Sequence, residues 1–249
     1  MTLRGTRGPQ GSPHNRYSRS GTCSHSAVTC PRPDDGTTTL TCLDAGTLTC
    51  MTYRALIPVK TLHEAKSRLA AYLTQSQRAQ LVLDMLHHVI DVLQESNALE
   101  KVAVVSPDPY VLACAQAWGA QALLEEQHGH NPALSAAAQH EIATGATALL
   151  TISADLPLLR ASDVENMIEQ SRRYTIVLAP SQDGTGTNAL LARPPLAVPY
   201  VFGPHSLQRY INEAKQRNIA HVLYSSIGTA LDIDTVHDLE LSRQKRQNR

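Results

Sequence analysis

Short apolar runs alternate with amphipathic stretches from residue 53 towards the end of the chain. The apolar runs have the length of strands and are rich in Val, Ile and Leu. They predict β-strands at Ala55–Ile57, Val102–Val105, Ala148–Ile152, Ile176–Ala179, Ala189–Leu191 and Val222–Tyr224. The stretches between them predict helices at 76–95, 109–118, 133–144, 162–173 and 205–217, and a last one from 235. This alternation is typical of an α/β fold with a mostly parallel central sheet and helices on both faces.

Residues 1–50 show no such pattern. Half of them are Thr, Ser, Gly or Pro, and their large apolar residues occur only singly. Such a segment cannot bury enough apolar surface to offset its chain entropy, so we expect a disordered extension before a domain over 51–249. The composition changes at Met51, which favours a start of translation there and a mis-assigned start at residue 1.

Charge and composition exclude several classes of partner. The chain has 22 basic and 22 acidic residues, no basic cluster and 4% aromatic residues, which argues against binding to nucleic acid. No apolar stretch is long enough to cross a bilayer, so no membrane partner is expected. Four of the five cysteines lie in residues 1–50 without Cys-x-x-Cys spacing, and the rest of the chain has the character of a reduced, cytoplasmic domain.

Parallel α/β sheets bind ligands beyond the carboxyl ends of their strands, so the residues after each strand are the candidates for chemistry. Lys60, Lys66 and Arg68 follow the first predicted strand. Three cations within nine residues could neutralise a triphosphate. The alternative is a solvated helix face on which Glu64 pairs with Arg68.

Carboxylates follow two other predicted strands. Asp155 lies directly after the third strand, and Asp232 and Asp234 lie beyond the last one. Extended chain places Asp232 and Asp234 on the same side, where they repel each other unless a cation lies between them. The ends of the two strands could lie side by side and bring all three carboxylates together as Mg²⁺ ligands. The alternatives are a turn residue for Asp155 and, for Asp234, a residue that merely precedes the helix-capping Thr235.

Two further segments could hold an anion. The stretch Gly184-Thr-Gly-Thr-Asn188 with Ala189 fits Gly-x-Gly-x-x-Ala, but a dinucleotide site is rejected because no helix follows. Such a turn could still present backbone N–H groups and two hydroxyls to a phosphate or carboxylate. The segment 202–206 predicts a tight turn that opens a helix, where Ser206 serves as a cap or as an anion ligand.

Six motifs, taken in their order along the chain, carry a resemblance to a known family. They are Ile57-Pro-Val-Lys60, Ala65-Lys-Ser-Arg-Leu69, Ala154-Asp-Leu-Pro-Leu158, Gly184-Thr-Gly-Thr-Asn188, Phe202-Gly-Pro-His-Ser206 and Asp232-Ile-Asp-Thr235. Together they resemble the guanylyltransferases that activate phosphoenolpyruvate or 2-phospho-L-lactate in the biosynthesis of the deazaflavin coenzyme F-420. The resemblance extends over residues 53–241 and does not account for residues 1–50.

The resemblance implies a nucleotidyltransferase fold of the nucleotide-diphospho-sugar transferase type. The family's functional positions fall on ten residues of this sequence. Lys60, Lys66 and Arg68 would be catalytic cations and GTP ligands, and Asn131 would belong to the nucleotide pocket. Asp155, Asp232 and Asp234 would bind Mg²⁺, and Thr187, Gly203 and Ser206 would bind the phospho-acid. One position departs from the family pattern, because the usual Leu before the Asn of the nucleotide pocket is His130 here.

The reaction that the resemblance implies is transfer of GMP from GTP to the phosphate of the acid, with release of pyrophosphate. This phosphate is ionised at neutral pH because its second pKa is about 6, so no general base is needed. The alternatives are a nucleotidyltransferase of the same fold that acts on a molybdenum cofactor or a sugar phosphate, and a nucleotide-binding module without catalysis. The sequence does not decide between the two acids, and it leaves the oligomeric state open, with a homodimer as one option.

Overall fold

The computed structural model describes residues 51–247 apart from Glu126 and His128. The disorder and the alternative start expected for residues 1–50 therefore lie outside the described residues. None of the helices in the described part of the chain is both long enough and apolar enough to cross a membrane.

One seven-stranded sheet forms the centre of the described domain, with the strand order β3-β2-β1-β4-β6-β5-β7. The strands are β1 (Tyr53–Pro58), β2 (Lys101–Ser106), β3 (Gln121–Leu124), β4 (Ala148–Ile152), β5 (Ile176–Pro180), β6 (Thr187–Ala192) and β7 (His221–Leu223). β6 runs antiparallel to its neighbours β4 and β5, and the other neighbouring pairs are parallel. The predicted, mostly parallel sheet is therefore confirmed. β3 was not predicted from the sequence, because its side chains are half-buried or exposed and form no long apolar run.

Helices connect most of the strands. They are α1 (Gln75–Glu95), α2 (Pro109–Ala117), α3 (His130–Ala143), α4 (Ala161–Ser171), α5 (Ser206–Gln216), α6 (Ile227–Ala230) and α7 (Val236–Gln247). α1 begins after Thr74, whose hydroxyl accepts a hydrogen bond from the Gln77 backbone N–H at 3.3 Å. This contact satisfies one of the free N–H groups of the first turn and fixes where the helix starts.

Two separate apolar cores lie on the two faces of the sheet, because successive strand side chains point in opposite directions. On one face, Ala55 and Ile57 of β1 pack with apolar side chains of α1, α2 and α4. On the other face, Leu56 packs with side chains of α3 and α5. Helices therefore cover both faces, as predicted.

The chain after β7 crosses the end of the sheet. α6 contacts β5 and β6, and farther along the backbone N–H of Ile233 donates to the carbonyl of Asp155 at 3.3 Å, in the loop after β4. The prediction that the ends of the strands before Asp155 and Asp232 lie side by side is wrong, because β6 and β5 separate β4 from β7. The carboxylates meet because residues 227–234 return across the two intervening strands.

Candidate active site

A cavity of about 1070 Å³ opens at the carboxyl ends of β1 and β4. Nine of the ten candidate residues line it, and these are Lys60, Lys66, Arg68, Asp155, Thr187, Gly203, Ser206, Asp232 and Asp234. The tenth, Asn131, is not among the lining residues. Residues far apart in the sequence thus converge at the end of the sheet where ligands of such folds bind.

The loop that follows β1 carries the cationic side chains. Only residues Ser67–Leu69 form a helical turn, of the 3-10 type, so the alternative of a solvated helix face is not formed. Arg78 of α1 holds the loop by donating from Nη1 to the carbonyl of Ala65 at 2.9 Å. Lys66, the next residue, has a left-handed backbone with φ 52°. Few residues other than glycine adopt this conformation, and such strained positions are frequent at functional sites.

The carboxylates of Asp155, Asp232 and Asp234 form the acidic cluster of the cavity. Each offers an oxygen atom that lies within 4.8 Å of the others. The ammonium of Lys66 donates to Asp155 and, at 3.0 Å, to Asp234, while Arg68 lies 3.4 Å from Asp234. The geometry therefore brings together the two groups of opposite charge that the sequence places after different strands.

The pKa values of Asp155 and Asp232, two carboxylates of the acidic cluster, are shifted in opposite directions. Burial would raise the pKa of Asp155, but the charge and the hydrogen bond of Lys66, together with a hydrogen bond from the Ser153 hydroxyl, lower it below the usual value. Burial raises the pKa of Asp232, and the negative charge of Asp155 raises it further. Asp232 is therefore the carboxylate whose charge is least compensated.

The acidic cluster fits a hard divalent cation. Mg²⁺ prefers a small number of carboxylate oxygens and completes its shell with water and phosphate oxygens. The ammonium of Lys66 already lies between Asp155 and Asp234, which shows that a positive charge is accommodated at this point.

The hairpin loop between β5 and β6 does not provide the predicted cradle of free N–H groups. The N–H groups of Gly184, Thr185 and Gly186 donate within the loop, to the Ser181 carbonyl, the Asp183 carboxylate and the Ser181 hydroxyl. The Thr185 hydroxyl also donates to Asp183. These contacts hold the pKa of Asp183 well below its usual value, with the hydrogen bond from the Ser181 hydroxyl as the largest cause. The loop is therefore stabilised by its own polar groups.

Thr187, the residue after this loop, differs from its neighbours. It is buried at the start of β6, and its Oγ1 has no hydrogen-bond partner among the described residues. A buried hydroxyl without a partner is unfavourable unless a ligand or water supplies one. Thr187 therefore has the capacity to bind a polar ligand in the cavity.

The turn before α5 forms another part of the cavity lining. Gly203 has φ 120°, a conformation that L side chains rarely adopt, and the guanidinium of Arg209 lies 3.2 Å from the position of a Cβ there. Ser206 is the first helical residue, so its predicted role as a cap is wrong, and its backbone N–H donates to the Gly203 carbonyl at 3.1 Å.

Asn131 contacts this turn. Its Nδ2 donates to the carbonyl of Phe202 at 3.1 Å, and its Oδ1 accepts from the Phe202 N–H at 2.9 Å. The Asn131 amide therefore holds the backbone of the turn, while the neighbouring His130 lines the cavity and packs edge-on against the Phe202 ring. Burial, followed by the charge of Lys60, lowers the pKa of His130.

No role for Asn188 or Arg209 follows from the sequence, and in the structure the guanidinium of Arg209 donates to the Phe202 carbonyl at 3.1 Å. Both are single polar residues without a distinctive spacing, and only their three-dimensional neighbours indicate a role. Asn188 is quoted in one of the motifs above, which was the one available signal.

The family model described as "Guanylyl transferase CofC like" matches residues 53–242. Phosphoenolpyruvate guanylyltransferase of Rubrobacter xylanophilus is 40% identical over 190 residues, which cover 76% of this chain and 92% of that protein. 2-phospho-L-lactate guanylyltransferase of Methanobrevibacter ruminantium is 29% identical over 196 residues, which cover 74% of this chain and 82% of that protein.

Among solved structures, a protein from Desulfovibrio desulfuricans G20 described as a nucleotide-diphospho-sugar transferase superimposes with a TM-score of 0.69. It is 16% identical, and the match covers 80% of this chain and 89% of that one. The similarity shows that the two proteins share a fold.

Proposed function

This chain belongs to the CofC-like family of guanylyl transferases and is a nucleotidyltransferase, and on this basis we propose that it transfers GMP from GTP to the phosphate of phosphoenolpyruvate. The observation that supports the proposal best is that the cationic loop, the acidic cluster and Thr187 line one cavity. We favour phosphoenolpyruvate because the relative named for it is 40% identical, against 29% for the relative named for 2-phospho-L-lactate.

In the proposed reaction, an oxygen of the acid's phosphate attacks the α-phosphorus of GTP. A new P–O bond forms there, the bond to the β-phosphate breaks, and pyrophosphate leaves with the electron pair. The attacking oxygen is already ionised at neutral pH, so no protein group has to remove a proton. Both reactants are polyanions, and the main task of the protein is to align them against their repulsion.

The side chains of the cavity suit this task. Lys60, Lys66 and Arg68 would neutralise the triphosphate, with Arg68 able to bind two of its oxygens. The free hydroxyl of Thr187 would donate to the acid, with Gly203 and Ser206 beside it. Asn131 would keep the turn with Gly203 in place through the Phe202 backbone, and would act on the nucleotide only indirectly.

Asp155, Asp232 and Asp234 would hold Mg²⁺, which when bound supplies positive charge between the two anionic reactants. The same carboxylates now pair with Lys66 and Arg68. A bound cation would compete with Lys66 for Asp155 and Asp234, and the ammonium of Lys66 would then be free to bind the triphosphate.

The test is an assay of pyrophosphate release by the full chain with GTP, Mg²⁺ and one acid at a time. We expect release with phosphoenolpyruvate, and none without an acid or with a sugar phosphate in its place. Release with a sugar phosphate but not with either acid would contradict the proposal. Release with 2-phospho-L-lactate alone would support the proposed transfer of GMP and would show that the acceptor is 2-phospho-L-lactate and not phosphoenolpyruvate.

Asp155→Asn tests the role of the acidic cluster in the same assay. We expect kcat to fall at least 10²-fold at saturating Mg²⁺, about 2.7 kcal/mol, because the variant keeps the shape of the side chain and loses its charge. Asp91→Asn, an exposed position on α1, is the matched control and should leave kcat unchanged. Near-normal turnover of Asp155→Asn would make Asp155 a turn residue.

Two other expectations remain predictions, namely a cytoplasmic location and the use of the product in coenzyme F-420 synthesis. The oligomeric state stays open, with a homodimer as one option.

A further inference from the structure

We infer that Asn188 is a positioning residue that holds the Asp232 carboxylate in the acidic cluster and attaches the returning segment 229–232 to β6. The inference rests on the proposed function only in assigning a divalent cation to these carboxylates. It concerns a residue that touches neither reactant in the proposal and acts through Asp232.

The contacts of the Asn188 side chain carry the inference. Its Nδ2, which carries two hydrogens, donates to three acceptors, with one hydrogen shared: the carbonyls of Thr229 and Ala230, at 3.1 and 3.0 Å, and Oδ1 of Asp232 at 3.2 Å. The residue is 6% exposed, so water does not substitute for these bonds readily. One amide group therefore fixes both the backbone before Asp232 and the carboxylate itself.

The backbone of Asn188 reaches the other side of the acidic cluster. Its carbonyl accepts a hydrogen bond at 2.8 Å from the N–H of Ser153, and the hydroxyl of Ser153 donates to Asp155. Asn188 thus connects the loop after β4 with the segment after α6. This connection matters because β4 and β7 are not neighbours in the sheet.

Asp232 depends on this amide more than the other two carboxylates of the cluster do. Asp155 and Asp234 both contact the ammonium of Lys66, whereas no ion pair of the described residues includes Asp232. An amide donor orients a carboxylate and leaves its negative charge intact, as is typical of residues that support metal ligands. A cationic residue at position 188 would neutralise the charge that the cation requires.

The test measures metal binding to the full chain without GTP or acid. Mn²⁺ and Mg²⁺ are titrated calorimetrically into the natural protein, Asn188→Ala and the control Asn166→Ala. Asn166 is an exposed residue of α4 that donates to the Tyr224 hydroxyl at 3.4 Å, away from the acidic cluster. We expect Asn188→Ala to bind both ions at least tenfold more weakly, within the usual range for supporting residues, and Asn166→Ala to bind them normally.

A second arm tests the coupling between the two residues. In the background of Asp232→Asn, the substitution Asn188→Ala should weaken the remaining metal affinity less than twofold, because the carboxylate it orients is gone. If circular dichroism shows that Asn188→Ala is unfolded, the same titrations on Asn188→Leu, which fills a similar volume without a donor, decide the question.

Unchanged metal affinity in a folded Asn188 variant would overturn the inference, as would equal losses in the natural and Asp232→Asn backgrounds. Lower thermal stability with unchanged affinity would make Asn188 a purely structural residue. These outcomes are separate from the proposed function. If the natural protein binds Mg²⁺ through Asn188-dependent carboxylates but releases no pyrophosphate with any acid, the function fails and the inference stands.

Discussion

Two clusters of ionised side chains lie at opposite ends of β1. At the amino end, the Arg54 guanidinium donates to Glu100 and Glu141, at 2.8 Å each, and to the hydroxyl and carbonyl oxygens of Thr144. Both carboxylates of this cluster therefore contact the cation. In the acidic cluster at the carboxyl end, Lys66 contacts two carboxylates and leaves the third without an ion pair in the described part of the chain.

The pKa shifts reflect this difference in pairing. The hydrogen bond from Arg54 is the largest cause that lowers the pKa of Glu100, whereas burial and the charge of Asp155 raise the pKa of Asp232. The Arg54 cluster contributes no residue to the lining of the cavity, and the acidic cluster lies in it. Similar residue types thus form a structural cluster where the cation reaches every carboxylate, and a candidate binding site where one carboxylate remains uncompensated.

The largest effect is expected from Arg54→Ala, measured by urea unfolding. The variant leaves Glu141 buried at 1% exposure without its cation, and loss of one partner of a buried ion pair costs about 3–5 kcal/mol. The kcat of the folded fraction should remain near that of the natural protein, because the cluster is remote from the cavity.

Arg172→Ala is the matched control for this substitution. Arg172 pairs with Glu169 at 2.9 Å but is 68% exposed, so its loss should change the free energy of unfolding by less than about 1 kcal/mol. Equal losses of stability in the two variants would contradict the distinction between the clusters. A large fall in kcat for Arg54→Ala alone would show that the two ends of β1 are coupled.

Much of this architecture is predictable from the sequence because local patterns determine it. The apolar runs locate six of the seven strands, and the capping residues Thr74 and Gln77 place the start of α1 within a residue. The edge strand β3 escaped prediction because an edge strand does not require a continuous apolar run.

The candidate site is predictable only in part, because local patterns determine some of its features and contacts between distant residues determine the others. The type and strand-end position of Lys66, Asp155 and Asp234 mark them as candidates, and the structure places all three in contact. How they converge is a matter of topology, since the segment after β7 crosses two strands to reach them. The contact of the Asn131 amide with the Phe202 backbone likewise joins residues that are distant in the sequence.

The next largest effect concerns Lys66 and Arg68, the cations that contact the acidic cluster. Lys66→Ala and Arg68→Ala should each raise the KM for GTP about tenfold, equivalent to about 1.4 kcal/mol, with a smaller effect on the KM for the acid. The expected asymmetry follows from their position on the loop after β1, which is assigned to the triphosphate. Steady-state kinetics with each substrate varied in turn provide the measurement.

Lys215→Ala, at an exposed position near the end of α5, controls for the loss of one positive charge and should leave both KM values unchanged. An increase in the KM for the acid alone would reverse the assignment of the two halves of the cavity. The difference between the two clusters would then still hold, but the loop after β1 would bind the acceptor acid and not the triphosphate.

The smallest effect is expected from Asp232→Asn, measured as the melting temperature in EDTA. The pKa of Asp232 is raised in the folded protein. Between the unfolded pKa, about 3.9, and the folded pKa, the folded state therefore retains a proton that the unfolded state has released. The free energy of unfolding falls as the pH rises through this range. The penalty is complete above the folded pKa, and Asn removes it while still accepting from Asn188. At pH 7 we therefore expect the variant to melt about 2–4 °C higher than the natural protein. At a pH below the unfolded pKa, the two proteins should have the same melting temperature. Mg²⁺ should raise the melting temperature of the natural protein more than that of the variant. A lower melting temperature of the variant in EDTA at pH 7 would show that Asp232 is already compensated, and that the two clusters do not differ in the way proposed.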